Sequence, residues 1–549
     1  MTSAIPGGLA GDRRREERLG FAFLLLAMVL LHVGIGNAYV PLEDEGTHVL
    51  QAIAVWKGQP STNLYYHLYS FVFTHLTTDP IQAHLVLRTL ASFAAASAMY
   101  LVLTSFRGIT PAASTIASIA WGASRLCTPP LQTGTSGVLS LALVMFPLAL
   151  VLRRPGWPSI ALFMLACYWA AQIRPEYYAP LIAVPAAAAL FARRRRRAER
   201  AAGTPGARPR LVAGALAVGT LLLSVFYVAT GPRQKKIGLD AYLLLGLGQC
   251  YAAYYRDRHP DEVFDPMTEY QPLLDRVFGH PKTFTGALAN NPGEAAKYFV
   301  VNSMENLSKL PRAVLASKNR VMSGLVLLLL CAGGALGVIG WRRARSSGRS
   351  ARPRDEQGQG QEDDLWRLAL LVATLSASSC AIVLLVPGPR YWLSWAPLLY
   401  LWLAWSVDNL LAASRSPKVA MVAVPCAALV FGYPMFPRIH SNQATVRAVR
   451  AAGVGLDHKP VLAGNWVLPL TAFAFGDQGV SVNAYDGLSL DDLRAGRYDF
   501  FFFDAIDHTT MGHDNAAFLH DFQATPERFG YRLLGGTAEE PPIVYAKLR

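Results

Sequence analysis

The chain has 549 residues, of which 52% are apolar and only 16% charged, and its formal net charge is +14. An ordinary soluble protein carries roughly a quarter charged residues, so a wholly soluble globular fold is excluded. The excess arginine stands in short tracts beside apolar runs (Arg13–Arg15, Arg193–Arg197 and Arg342–Arg354), which is how span flanks meet anionic headgroups and sets nucleic acid aside as a partner.

In chain order, a basic start runs into an apolar stretch over 19–37. No small-residue cleavage site followed by soluble sequence comes after it, so it reads as a retained first span. Further runs near the roughly 20 residues a span requires fall at 82–106, 111–126, 135–152, 158–173, 176–192, 211–230, 321–341, 366–386, 392–408 and 418–435. That makes about eleven spans by hydropathy. With Arg13–Arg18 inside, every heavily basic short connection lands on the same face: Arg107, Arg153–Arg154, Arg193–Arg197, Arg342–Arg345 and Arg415–Lys418. The positive-inside rule makes that face cytoplasmic in a bacterial-type inner membrane. The opposite face receives the loop from Tyr39 to Pro80, the turn Gln172–Tyr178, the segment 231–320 and the turn Pro387–Tyr391.

Residues 342–365 are rich in Arg, Gly, Ser and Gln and read as a disordered cytoplasmic linker. Over Pro292–Leu307, Ala296, Phe299, Val300 and Met304 line one face of an amphipathic helix suited to the membrane interface. From residue 437 the pattern changes to that of a small soluble α/β domain with a mostly parallel sheet. Its strands are expected at Pro460–Gly464, Gly479–Tyr485 and Tyr498–Asp504, and its helices at Leu488–Leu493 and Asn515–Phe522. No glycine-rich phosphate loop follows the first strand. The division expected is thus 1–436, 342–365 within it, and 437–549. Cys127 and Cys250 stand outside the apolar runs, and nothing in their spacing calls for a disulfide.

Chemistry-bearing residues concentrate in the first outer loop. Glu43, Asp44 and Glu45 open a helix-like run that ends near Gly58. Acids at a helix start favour the macrodipole, but uncompensated acids beside a membrane are costly and point to a function. His48, four residues after Asp44, could share a divalent cation with it on one helix face, although a surface hydrogen bond explains the pair as well. Tyr65, Tyr66, His67 and Tyr69 form an aromatic cluster, read first as an interfacial belt and second as a sugar platform. Arg88 falls two turns inside a span, where a charge must find a partner or water. Arg174 precedes Glu176, which can neutralise it. Arg390 and Tyr391 end the proline-rich turn Pro387-Gly-Pro-Arg-Tyr391, and Lys235 follows the span at 211–230.

With Glu43-Asp44-Glu45 opening a helix after the first span, the chain resembles the GT-C glycosyltransferases, polytopic enzymes that use polyprenyl-phosphate sugars. The branch it looks most like is the protein-mannosyltransferase-like and aminoarabinose-transferase-like one. The resemblance covers most of the chain by architecture and only short stretches by motif. A second acidic motif of the oligosaccharyltransferase type is missing, so no metal is demanded. The resemblance implies a polytopic α-helical GT-C module with an extracytoplasmic α/β domain, a lipid-phosphate sugar as donor, and a glycan, lipid or protein as acceptor. It implies a first-loop acid as base, Asp44 with Glu45 beside it or Glu43 in its place. Arg390 with Tyr391, Arg174 with Glu176, Arg88, His48 and Lys235 are then the candidates for substrate contacts. Guanidinium forks suit a phosphate leaving group because they engage two oxygens at once. Two other classes compete: a transporter or flippase of a lipid-linked glycan, and a non-catalytic subunit of an envelope polysaccharide complex.

Overall fold

The computed structural model describes residues 7–35, 45–61, 63–106, 108–124, 134–154, 157–174, 239–262, 269–315, 367–374, 393–413, 442–464, 467–483, 490–503, 521–536 and 543–548, apart from scattered single residues. These form two compact units. One comprises Met1–Gly34, Ala91–Glu262 and Glu269–Pro437; the other comprises Ile35–Leu90, Val263–Thr268 and Arg438–Arg549. The first loop, expected with the helical module, is therefore part of the same unit as the C-terminal fold.

The helical unit contains α1 (Gly7–Ile35), most of the helix that follows the first loop, α5 (Pro111–Gly122), α6 (Thr135–Arg153) and α7 (Trp157–Ile173). Next come α8 (Leu239–Arg256), α9 (Tyr270–Phe278), α10 (Phe284–Asn290), α11 (Pro292–Leu315) and α12 (Ala396–Ala413). Among the described residues two helices are long and apolar enough to cross a membrane, Pro80–Leu103 and Thr135–Arg153. The span expected at 111–126 is helical only over Pro111–Gly122. Twelve residues rise about 18 Å, well short of the roughly 30 Å hydrocarbon core. The expected spans at 176–192, 211–230, 321–341 and 418–435 lie wholly or largely outside the described residues.

Basic side chains gather at one end of this unit. Arg13 donates to the carbonyls of Thr104 (3.4 Å) and Phe106 (3.5 Å). Arg153 reaches the hydroxyls of Thr104 and Ser105, and Arg367 donates to the carbonyl of Leu152 at 3.1 Å. The carbonyls at helix C-termini are left without intrahelical partners and carry partial negative charge. The guanidinium groups of Arg13 and Arg367 satisfy such carbonyls, and α1, α6 and residues 367–374 thereby share this end. Asp408 of α12 joins it by accepting from the backbone N–H of Thr110 at 3.1 Å.

Helix α11 packs into its unit through the face opposite the apolar stripe read from the sequence. Ala295, Tyr298 and Asn302 pack inward, with Tyr298 set edge-on against Tyr251 and Tyr254 of α8. Val300 and Met304 point outward, 58% and 69% exposed. The bulkier tyrosine at 298 takes the packed side and turns the apolar stripe away from the unit.

The second unit holds α2 (Glu45–Trp56), α3 (Leu64–His75), the first part of α4 (Pro80–Leu103) and the C-terminal α/β fold. That fold adds α13 (Gln443–Gly453), β1 (Val461–Gly464), α14 (Val467–Phe475), β2 (Val480–Asn483), α15 (Leu490–Arg494), β3 (Phe500–Phe503), β4 (Tyr531–Gly535) and β5 (Ile543–Lys547). The sheet order is β2-β1-β3-β5-β4. The three strands anticipated from sequence pair in parallel, while β4 and β5 add an antiparallel half that no alternation announced. Ala463, Leu493, Phe501, Phe522, Tyr531 and Tyr545 fill the core on one side of the sheet. At the end of β1, Gly464 has φ +141°, and a Cβ there would come 2.2 Å from the carbonyl oxygen of Phe502, so only glycine fits.

Helix α14 joins the first loop to this sheet. A Cβ on Gly46 would stand 2.0 Å from the Cα of Pro469, so the backbones of α2 and α14 touch. Arg450 of α13 donates to the carbonyls of Phe473 (2.8 Å) and Ala474 (3.0 Å) at the C-terminal end of α14, and also to Asp79 (2.9 Å) just before α4. Lys57 pairs with Asp477 at 2.5 Å. Backbone on backbone cannot yield as a flexible side chain would, so Gly46→Ala is expected to destabilise this unit by about 1–3 kcal/mol. Calorimetry of the full chain checks this: an unchanged unfolding temperature would show that α2 does not rest on α14.

Candidate functional site

Glu45 of the first loop and Arg88 both lie buried within the second unit. Glu45 is the first residue of α2, and its side chain is only 2% exposed, as Arg88 is only 6% exposed. Between α2, α3 and α4 lie Tyr65, Tyr69 and His84, each 0% exposed. The Tyr65 hydroxyl donates to Glu45 Oε2 at 2.7 Å. Tyr69 Oη lies 2.8 Å from His84 Nδ1. A buried carboxylate must be hydrogen-bonded and meet an opposite charge to be tolerated. Tyr65 supplies the bond, and Arg88, whose guanidinium interacts electrostatically with Glu45, supplies the charge.

Local sequence explains how these groups reach one another. The side chain of Asn63 caps α3 by accepting from the N–H of Tyr65 at 2.9 Å. Tyr65 and Tyr69 are four residues apart and so share one face of α3, as His84 and Arg88 share one face of α4. The tyrosine rings pack edge to face at 5.1 Å, and His84 stands edge-on to Phe473 of α14 at 5.5 Å. Burial first, and then the charge of Glu45, push both phenols well above the usual tyrosine range. Each therefore keeps its proton and remains a donor at any ordinary pH.

Of the sequence-derived candidates, Glu45 and Arg88 come together. His48 is half-buried on α2, with Nδ1 3.4 Å from Tyr66 Oη and its ring edge-on to Tyr65 at 5.3 Å. Arg174 belongs to the helical unit, where its guanidinium lies against the start of α6: a Cβ on Gly137 would come 3.3 Å from its Nη2 and 2.7 Å from Leu393. Glu43, Asp44, Glu176, Lys235, Arg390 and Tyr391 lie outside the described residues. Among the described residues no three potential ligands gather in a metal-binding cluster.

The sequence pattern points to Tyr65 and Tyr69 as belt or sugar-platform aromatics. Their complete burial overturns both roles, because a belt or platform residue must show a face to headgroups or ligand. His84 had no assigned part. The spacing 65/69 and 84/88 carried the signal, since a polar residue repeated at i, i+4 inside an apolar stretch marks a shared buried face.

No family model matches the sequence, and no curated protein matches it. Among solved structures the chain is similar to ArnT from Cupriavidus metallidurans in the apo state, with 13% identity, a TM-score of 0.35, and coverage of 96% of this chain and 97% of that one. At that score the likeness speaks neither for an activity nor for any residue.

Removing the carboxylate strands a buried hydroxyl and a buried guanidinium. Glu45→Ala is therefore expected to cost roughly 2–5 kcal/mol of stability, whereas Asp44→Asn should leave the unfolding temperature within about a degree of wild type. Thermal unfolding of the two variants side by side checks the contrast, and equal losses would remove the anchoring role of Glu45.

Proposed function

We propose that the chain is a membrane glycosyltransferase that moves a sugar from a polyprenyl-phosphate carrier to an acceptor on the outer face of a bacterial inner membrane. The observation that carries this reading is the burial of two opposite charges near one another, Glu45 at the start of α2 and Arg88 on α4. Two charges held out of water in a first loop and its following helix are expensive to keep, and a fold that only needed packing could fill the site with apolar side chains. The two span-length helices and the basic end of the helical unit fit a chain inserted with that end in the cytoplasm.

In this reading the acceptor hydroxyl attacks the anomeric carbon and its proton passes to Asp44. The bond from that carbon to the phosphate oxygen breaks, and the lipid phosphate leaves with the electron pair. Glu45 holds the first turn of α2 while Asp44, one residue earlier, acts as base. A carboxylate near the membrane surface is partly desolvated and becomes a better base for it. Arg174 and Arg390 meet the phosphate, whose leaving requires fixed positive charge rather than a general acid. Tyr391, His48 and Lys235 complete the donor site, and Glu176 orients Arg174. Arg88 serves as the counter-charge of Glu45.

Purified full-length protein in lipid nanodiscs, supplied with undecaprenyl phosphate carrying a radiolabelled hexose or pentose and with envelope extract as acceptor, tests the assignment. Wild type is expected to transfer label, and Asp44→Asn to lose at least about 100-fold in rate. Undiminished transfer by Asp44→Asn would remove the base. Failure of wild type with every donor would return the chain to the flippase or subunit class.

A further inference from the structure

Helix α11 carries an apolar stripe that its own unit does not use. The packed side consists of Ala295, Tyr298 and Asn302, all buried, and Tyr298 stands edge-on against Tyr251 and Tyr254 of α8. About half a turn away, Ala296, Val300 and Met304 recur every four residues and so line one face. All three are exposed. Lys297, seven residues before Met304, lies on the same side of the helix, with its side chain 64% exposed. One margin of the stripe is charged. Glu294 accepts from the Tyr251 hydroxyl at 3.0 Å and pairs with Lys297 at 3.5 Å, while Glu305 pairs with Arg258 of α8. That margin suits water, and the apolar face beside it does not.

The stripe is too small for a protein partner. Its side chains cover about 12 Å of helix, whereas a specific protein interface takes roughly 800 Å² from each side. A bilayer accepts apolar side chains in any number, and the chain keeps α11 close to one. The helix ends at Leu315, and residues 316–320 alone separate it from the apolar run expected to span at 321–341. From Leu315 to Val321 an extended chain reaches about 20 Å. We propose that α11 is an interfacial helix on the outer leaflet, with Ala296, Val300 and Met304 at the boundary of headgroups and acyl chains and the Lys297 ammonium among the phosphates. Tyr251 of α8 also packs edge-on against Phe278 of α9 at 5.2 Å, so α8 and α9 rest on the same support. This placement rests on the outer-face topology of the proposed function and on none of its catalytic residues.

Photo-cross-linking identifies what touches the stripe. Full-length protein carrying p-benzoylphenylalanine in place of Val300 or of Met304 is reconstituted into vesicles of phosphatidylethanolamine and phosphatidylglycerol, irradiated, and weighed by mass spectrometry. Phospholipid adducts are expected at both positions. A cross-linked second copy of the chain, or no adduct at either position, overturns the proposal. The unsubstituted protein supplies a second measurement. In the same vesicles Met304 is expected to oxidise in aqueous peroxide at least about fivefold more slowly than in a synthetic peptide of the α11 sequence in lipid-free buffer. Oxidation at the rate of the peptide overturns the proposal too, even should the substituted chains fail to fold. Neither readout uses a sugar donor, so an inactive wild type would sink the transferase reading while leaving this one standing.

Discussion

The burial of one carboxylate constrains the arrangement of the second unit. A carboxylate removed from water costs several kcal/mol unless hydrogen bonds and an opposite charge replace what the solvent supplied. At Glu45 these replacements come from different elements: Tyr65 from α3 and Arg88 from α4. The three helices must therefore converge on the start of α2. Their convergence in turn leaves room for only a bare backbone where α2 meets α14, at Gly46 against Pro469. Buried charge and a missing side chain on consecutive residues serve one purpose. The first fixes the turn from within, and the second lets it seat on the α/β fold.

The α/β fold then becomes more than a soluble appendage. Arg450 ties the C-terminal end of α14 to Asp79, just ahead of α4, and His84 of α4 lies edge-on to Phe473 of α14. The helix that carries Glu45 and the helix that carries its counter-charge are thus both referenced to α14. A small domain separated from the first loop by several hundred residues of sequence thus packs against the helix that carries Glu45.

Much of this was legible in the sequence, and the remainder was hidden for identifiable reasons. Strands β1, β2 and β3 are short apolar runs between turn residues, so their pattern is plain. Strands β4 and β5 escaped because YRLLG and IVYAK pair antiparallel at the far edge of the sheet, and neither alternates cleanly between apolar and polar. The helix α14 was missed for the opposite reason. VLPLTAFAF is apolar on all sides and has no period to detect. Arginine tracts announced which helix ends would meet, since charge near a membrane has few places to go. Tyr65 and Tyr69 were misjudged because aromatic content alone cannot separate a residue facing headgroups from one facing a buried acid. That distinction lies in the tertiary partners, Glu45 at 20 residues from Tyr65 and His84 at 15 from Tyr69 in sequence, and no local pattern reports it.

The neighbouring acids at 44 and 45 cannot share a role. A base must meet its substrate's hydroxyl, and Glu45 is spent on Tyr65 with almost no surface left to offer. Freeing it would strand both the phenol and the guanidinium of Arg88, each in a place water does not reach. The cost of that rearrangement, several kcal/mol by the same reasoning that explains the burial, would be added to the barrier of every turnover. An acid with no such obligations would act without it. Under the proposed mechanism the work is therefore divided between adjacent residues, with Glu45 fixed by its burial and the reaction left to another acid.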